Sequence, residues 1–179
     1  MVTIILLNGT SSAGKSSIAY KIQEFGELPY LHVKMDTFLR MAPYDHIRRR
    51  ETSNLIIKGF HNSLAGLSIA GNCLVIDHVF QEQEWFLNCL KALKDLRVYF
   101  IGVHCDLETL KQREINRGDR SIGTAEYQYE RVHAKTTYDF EVDTANATAE
   151  TCAQAILKYV TETAHPLAWE KLLAENNIE

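Results

Sequence analysis

The segment from residue 9 to residue 17 has the residue types and spacing of a loop that binds nucleotide phosphates. It fits the pattern GxxxxGK[ST], directly follows the apolar run IILLN and precedes a helical segment, a context that favours this interpretation over a chance match. Its glycines allow the backbone to form a concave nest of N–H groups, and the following helix adds its positive N-terminal end. The predicted nucleotide-binding residues are Gly9, Thr10, Ser11, Ser12, Ala13, Gly14, Lys15, Ser16 and Ser17.

Lys15 and Ser16 are the members of this loop to which we assign chemistry. The Lys15 ammonium is predicted to bridge the β- and γ-phosphates, and the Ser16 hydroxyl is predicted to coordinate Mg²⁺. Both interactions spread the charge of a phosphoryl-transfer transition state. ATP and Mg²⁺ are therefore the predicted cofactors, and the absence of an NKxD pattern in the sequence favours ATP over GTP.

Two aspartates follow apolar runs, at positions where open α/β folds place site residues. Asp36 comes after LHVKM and is predicted to accept or orient the proton of an acceptor hydroxyl, with a helix N-cap as the alternative. Asp77 ends the run LVID and is predicted to hold Mg²⁺ directly or through water, with a buried capping role as the alternative. His78, next in the chain, is either a substrate contact or a structural residue.

Three arginines in QREINRGDR have spacings that put them on one face of a helix and its exit turn. Guanidinium groups bind phosphate in a bidentate manner, so we predict that Arg113 binds the nucleotide and that Arg117 and Arg120 act in catalysis. Residues 113–124 are then a lid whose closure excludes water. The alternative is a solvated helix face paired with neighbouring carboxylates.

Continuous apolar runs alternate with helical stretches along the whole chain, which is typical of an α/β fold with a parallel sheet between helices. The predicted strands are Thr3–Leu7, Tyr30–Val33, Cys73–Asp77, Val98–Val103 and Phe140–Val142. The predicted helices are Lys15–Phe25, a long one within Tyr44–Ala70, Glu82–Leu93, Leu107–Arg117, Ala125–Lys135, Ala149–Thr163 and a last one after Pro166. The fold class is therefore a three-layer α/β domain.

The composition limits the partners. The chain has 179 residues, of which 46% are hydrophobic and 23% charged, and this is typical of one globular domain spanning residues 1–179. A net charge of −4 argues against a nucleic-acid polymer as partner, and no membrane partner is expected. The apolar start is too short for the apolar region and cleavage site of a signal peptide and lacks a basic region before it, so we interpret it as the first buried strand. Four dispersed cysteines without a CxxC pair favour a reducing cytoplasm. The pattern does not specify an oligomeric state.

Several motifs in a fixed order carry a family resemblance. They are LNGTSSAGKSS, MDTF, VIDHVF, GVHCDLETLKQREINRGDR and YDFEVDT, within residues 1–145. Together they resemble the chloramphenicol phosphotransferase-like proteins. The resemblance implies a P-loop NTPase fold of the nucleoside-monophosphate-kinase type with a central five-stranded parallel sheet. It also implies ATP-dependent phosphorylation of a hydroxyl on a small molecule, which includes antibiotics.

The resemblance also implies roles for individual residues. Asp36 matches the catalytic base of the family, and Lys15 and Ser16 carry over at the phosphate loop. The three arginines match phosphate-contacting ones. The turn around Asp143 and Thr144 falls where this fold class passes its backbone beside adenine.

The acceptor side is predicted to be a helical segment of about residues 36–70. Between Asp36 and Asp77 the chain departs from the family pattern, which has a longer, glycine-rich insertion there. Arg48–Arg50 either recognise an anionic acceptor or form a solvated helix face. An apolar acceptor pocket or core packing accounts equally for Met35, Phe38, Met41 and Tyr44. The alternative functions are a nucleoside, nucleotide or sugar kinase of the same fold, and a non-catalytic ATP-binding regulator.

Overall fold

The computed structural model describes residues 2–118, 122–134 and 136–178. These residues form a five-stranded, fully parallel sheet with the order β2-β3-β1-β4-β5. The strands are β1 (Ile4–Asn8), β2 (Leu31–Lys34), β3 (Leu74–His78), β4 (Val98–His104) and β5 (Phe140–Asp143). Every predicted apolar run is a strand of this sheet, because runs buried on both faces suit a parallel sheet between helices.

Helices cover both faces of the sheet. They are α1 (Lys15–Phe25), α2 (Met35–Leu39), α3 (Tyr44–Ile47), α4 (Arg50–Ile69), α5 (Gln83–Ala92), α6 (Leu107–Arg117), α7 (Thr124–Val132), α8 (Ala149–Glu162) and α9 (Ala168–Glu175). On one face, Ile5 and Leu7 of β1 are buried against α1 and α8. On the other, Ile4 and Leu6 are buried against α4, α5 and α9. The predicted three-layer α/β class is confirmed.

The register brings the ends of three strands together at one edge. Leu7 of β1 lies beside Asp77 of β3, and Asp77 lies beside Lys34 of β2. The loop that follows β1 therefore leaves from the middle of the sheet, where the order of strand addition reverses. Open α/β sheets bind their ligands at such a point, outside the carboxyl ends of the strands.

The segment after β2 differs most from the prediction. It starts with helix α2, which begins earlier than the predicted helical segment: its N-cap residue is Lys34, so Asp36 lies in the first helical turn and is not the cap. The long helix predicted within residues 44–70 is α4, and the short helix α3 precedes it. The two are separate because the backbone is extended at Arg49 (φ −81°, ψ 121°).

The last helix packs on the sheet as a buried element. Trp169 of α9 is 2% exposed, and its ring meets Phe100 of β4 edge to face at 5.2 Å. Among the residues that the structure describes, no helix is long and apolar enough to cross a membrane.

Candidate active site

The phosphate loop is held in its shape by two close approaches. A Cβ on Gly9 would lie 2.4 Å from the carbonyl oxygen of Val103 in β4, so only glycine lets the loop start this close to the sheet. Gly14 has a φ of 87°, and its α-carbon faces Thr144 at the end of β5. Ser12 also has a positive φ, 65°, a conformation that non-glycine residues adopt mainly where their surroundings enforce it.

Lys15, Ser16 and Asp77 form the centre of the site. The Lys15 ammonium donates a hydrogen bond to the Thr10 carbonyl oxygen at 2.8 Å and lies 3.8 Å from Asp77 Oδ1. The Ser16 hydroxyl donates to Asp77 Oδ2 at 2.5 Å. Lys15 is 5% exposed, so its charge is set in a largely desolvated position between the loop and β3. The structure therefore brings Lys15, predicted to bind phosphate, close to Ser16 and Asp77, predicted to hold the metal.

Two hydroxyl groups of the phosphate loop point to a polar ligand. Ser11 Oγ and Ser12 Oγ are buried and have no hydrogen-bond partner among the described residues, and both serines line the cavity above the loop. Buried polar groups are almost always paired in folded proteins. Phosphate oxygens would satisfy both groups, so the loop fits the nucleotide that its sequence pattern predicts.

Arg113 of α6 joins the phosphate loop to the end of β5. Its Nη1 and Nη2 donate to the Oγ1 and carbonyl oxygen of Thr144 at 3.0 and 2.7 Å. The Thr144 hydroxyl in turn donates to the Ala13 carbonyl oxygen at 2.9 Å. Arg113 Nη1 also reaches the Ser12 carbonyl oxygen at 3.5 Å. Two distant predicted residues, Arg113 and Thr144, are therefore direct partners.

The remaining arginines of the predicted lid have different positions. Arg117 lines the cavity from the last turn of α6, whereas Arg120 lies outside the described residues.

The buried carboxylate of Glu114, on α6, lies at the start of α7. It accepts hydrogen bonds from the backbone N–H groups of Gly123 and Ala125, at 2.7 and 2.9 Å. Glu114 therefore caps α7.

One cavity of about 480 Å³ brings most of the predicted site residues together. The predicted residues that line it are Ser11, Ser12, Gly14, Lys15, Ser16, Ser17, Asp36, Asp77, Arg113, Arg117 and Thr144. The other three predicted loop residues do not line the cavity; they are Gly9, Thr10 and Ala13. The cavity thus runs from the end of β5, over the phosphate loop, to Asp36 after β2.

Several cavity residues were missed by the sequence analysis. Lys34 and Asn116 add polar groups, and Val79 adds apolar surface. Lys34 had a usable signal, because it ends the same strand that Asp36 follows. The four residues proposed as an acceptor pocket separate: Met35 lines the cavity and is buried, Phe38 packs on Phe60, and Met41 and Tyr44 are exposed.

Gln128 of α7 was also missed, since a lone glutamine in a helix gives no signal in a single sequence. Its Oε1 accepts the backbone N–H of Ser11 at 2.7 Å, and its Nε2 donates to Gln81 Oε1 at 2.6 Å. Gln128 is 6% exposed. Two carboxamides therefore connect the phosphate loop, α7 and the segment after β3.

The histidines near β3 are neutral and buried. His78 Nε2 and His61 Nε2 of α4 are 2.8 Å apart, and the His78 ring stacks on Phe80 at 4.0 Å. Burial lowers the pKa of His61 to about 4 and the pKa of His78 well below its usual range. Burial also lowers the pKa of His32 in β2, against the opposing charge of Asp77. These positions favour the structural interpretation of His78.

A phosphate loop at the centre of a parallel sheet of this order, with an acid at the end of the adjacent strand, is the arrangement of the P-loop nucleotide-binding fold. The chain belongs to the chloramphenicol phosphotransferase-like family, whose sequence model matches residues 2–161. The family indicated by the motifs is therefore confirmed. The chain is a small-molecule phosphotransferase with a P-loop that binds nucleotide.

A relative and two solved structures agree with this assignment. A protein of Mycobacterium tuberculosis described as a putative O-phosphotransferase is 25% identical over 195 residues, covering 94% of this chain and 87% of that protein. The APS kinase CysC of Mycobacterium tuberculosis, in complex with AMPPNP and APS, has a TM-score of 0.73 and 12% identity over 90% of this chain and 98% of that one. The tunicamycin resistance protein of Deinococcus radiodurans has a TM-score of 0.69 and 18% identity over 93% and 99%. Both structures share the fold.

Proposed function

We propose that this enzyme transfers the γ-phosphoryl group of ATP to a hydroxyl of a small organic molecule, with Asp36 as the catalytic base. The observation that carries the proposal is the shared cavity, in which Asp36 opens onto the same space as Lys15 and the Ser16–Asp77 pair. Strands are about 4.8 Å apart, so the ends of β2 and β5 are separated by about 19 Å. That length accommodates a nucleotide and an acceptor end to end.

The nucleotide occupies the part of the cavity over β1, β4 and β5 in this proposal. The phosphate loop and Lys15 bind the phosphates, Arg113 and Thr144 border the adenosine, and Arg117 reaches the γ-phosphate when residues 113–124 close as a lid. Ser16 and Asp77 hold Mg²⁺, which neutralises phosphate charge when bound. Arg120 is one of residues 113–124, and the proposal keeps its predicted catalytic role.

The acceptor occupies the part over β2 and β3. Its hydroxyl oxygen attacks the γ-phosphorus while the bond between that phosphorus and the bridging oxygen of ADP breaks, and the hydroxyl proton passes to the Asp36 carboxylate. Lys15 and Arg117 stabilise the charge on the transferred group. Lid closure excludes water, which would otherwise compete with the acceptor.

An antibiotic with a free hydroxyl is the acceptor class that the family and the tunicamycin resistance neighbour favour. A second class, an anionic sugar or nucleotide, is favoured by Lys34, which adds a positive charge to the cavity beside Asp36. Arg48–Arg50 are exposed and do not line the cavity, and Arg50 Nη2 lies 3.4 Å from the Glu82 carboxylate. They do not support an anionic acceptor.

We further propose that residues 1–179 act as one kinase domain in the cytoplasm, where four buried free thiols are stable.

The test is ATP consumption with Mg²⁺ against a panel of hydroxylated antibiotics, nucleosides, nucleotides and sugars. Asp36→Asn should lower acceptor-dependent turnover about 10²- to 10⁴-fold while leaving ATP affinity unchanged, and Lys15→Ala should lower both. Asp45→Asn, in an exposed position on α3, is the matched control and should keep full activity. ATP binding without stimulation by any acceptor, unchanged in Asp36→Asn, would instead identify a nucleotide-binding regulator.

A further inference from the structure

His32 of β2 is a buried histidine beside the acid of the proposed metal site. Its side chain is 6% exposed, and its Nε2 lies 4.0 Å from Asp77 Oδ2. Nε2 is buried without a hydrogen-bond partner among the described residues. Asp77 is therefore the acidic group next to this nitrogen, at a distance just beyond a hydrogen bond.

The sheet and α1 together hold the ring in this place. Lys34 pairs in register with Asp77, and His32, two residues earlier, points to the same face of the sheet. The Tyr20 ring of α1 meets the His32 ring edge-on, with centroids 5.0 Å apart and planes at 88°. The ring is thus fixed between a helix and a strand, with Nε2 near Asp77.

A buried, unpaired ring nitrogen is unfavourable, and an apolar side chain would avoid the loss. The contact between Lys15 and Asp77 must change when a nucleotide binds. Lys15 lies 3.8 Å from Asp77 Oδ1, and its ammonium turns toward the phosphates in the proposed function. Asp77 then loses a nearby cation and must keep its orientation toward the metal by other contacts.

We propose that His32 is a positioning residue for Asp77, and that its Nε2–H donates a hydrogen bond to Asp77 Oδ2 in the nucleotide- and metal-loaded site. This inference rests on the proposed function. An ionised carboxylate oxygen accepts two hydrogen bonds, so Oδ2 accepts from Ser16 Oγ and from His32 together. A shift of about 1 Å shortens the separation to hydrogen-bond length. The carboxylate is then fixed with Oδ1 free to face the metal.

Binding of Mn²⁺ to the complex of the protein with ADP, followed by the EPR signal of free Mn²⁺, tests this role without measuring turnover. His32→Phe keeps a ring of similar shape but has no donor, and it should weaken Mn²⁺ binding about 10-fold, as loss of a hydrogen bond to a metal ligand does. His32→Gln places an amide nitrogen near the position of Nε2 and should restore binding to within about threefold of the wild type. ADP binding in EDTA should be unchanged in both variants.

Equal Mn²⁺ affinity in His32→Phe and wild type would overturn the proposal. So would an equal loss of ADP binding in EDTA, because that result would mean that the ring only supports the fold. His32→Leu is a second variant without a donor, in case His32→Phe does not fold, and the same 10-fold loss is expected of it. Failure of the wild type to bind ADP at all would overturn the proposed function itself.

Discussion

The two ends of the cavity are built differently. At the β5 end, Thr144 accepts two hydrogen bonds from Arg113 and donates one to the Ala13 carbonyl oxygen, so strand, helix and phosphate loop are joined within a few ångströms. At the β2 end, Asp36 lies on the five-residue helix α2, and the following Met41 and Tyr44 are 70% and 71% exposed.

The difference separates two requirements of a kinase. Nucleotide phosphates are the same in every turnover, so a cross-linked frame that does not vary with the acceptor suits the loop that binds them. An acceptor varies among enzymes of one fold, and short helices with exposed apolar side chains allow its site to change at little cost in stability. In terms of the proposed function, we call the β5 end the rigid nucleotide end and the β2 end the adaptable acceptor end. Each of the following predictions compares the two ends.

Gly9→Ala should have the largest effect. The added Cβ would lie 2.4 Å from the Val103 carbonyl oxygen, so the phosphate loop must move away from β4. We expect a loss of about 3 kcal/mol in the free energy of unfolding and a large loss of nucleotide affinity. Chemical denaturation and ADP titration measure these. Gly66→Ala in α4, where a Cβ meets no atom within 4 Å, is the control and should stabilise by about 0.5–1 kcal/mol. Equal effects of the two changes would contradict a rigid nucleotide end.

Arg113→Ala should weaken nucleotide binding about 30-fold, or about 2 kcal/mol, because the partly buried carbonyl oxygen of Thr144 loses its charged donor. Calorimetric titration with ADP gives the change. Arg113→Lys should recover only part of the affinity, since an ammonium cannot contact both oxygens of Thr144 in the fork geometry. Full affinity in Arg113→Ala would show that this connection does not order the nucleotide end.

The stability of the folded protein should fall in mild acid, because His133 is packed in a neutral state against His104 and Tyr138. Burial, then the neighbouring charges of His104 and Lys15, lower the pKa of His133 to about 4 from the 6.5 of the unfolded chain. The unfolded chain therefore binds more protons between these values, and stability is lost as the pH falls from 6.5 toward 4. We expect a loss of about 1 kcal/mol from this residue, reduced by its partial exposure.

Denaturation at several pH values measures this loss. His133 Nδ1 pairs with the Tyr138 hydroxyl at 2.7 Å, so His133→Asn retains an acceptor near that position but does not titrate. The variant should show a shallower dependence on pH in this window. An unchanged slope would assign the acid sensitivity to other groups.

Tyr44→Ala and Met41→Ala should have the smallest effect on stability, within about 0.5 kcal/mol, because both side chains are exposed. Their ADP affinity should match the wild type. The KM for an acceptor identified by the panel should also stay close to the wild-type value, since neither side chain lines the cavity. A changed ADP affinity in either variant would show that the two ends are not separate.

The sequence allowed prediction of those parts of the molecule that depend on neighbours in the chain. The strands and most helices followed from apolar runs, because burial on both faces leaves a continuous pattern. The phosphate loop followed from its spacing, and Asp36 and Asp77 from their positions after strands. α2 and α3 were missed as elements, since helices of four or five residues carry too few residues for a periodic pattern.

Contacts between distant segments were not predictable from one sequence. The pairing of Arg113 with Thr144 spans 31 residues, and that of Ser11 with Gln128 spans 117. Glu114, one of several charged residues in QREINRGDR, caps α7 and is 2% exposed. In each case the fold decides which side chains meet, and local spacing contains no information about the partner.

The connection through Gln128 has a consequence for the order of events in a turnover. Because Gln128 bonds the backbone of Ser11 and also bonds Gln81 after β3, any displacement of the loop by phosphates is transmitted to the segment next to the acceptor end. A nucleotide that arrives first would therefore preset the geometry that the acceptor meets. Such a coupling is reciprocal, so an acceptor that alters the affinity for nucleotide is itself bound with an affinity that the nucleotide alters by the same factor.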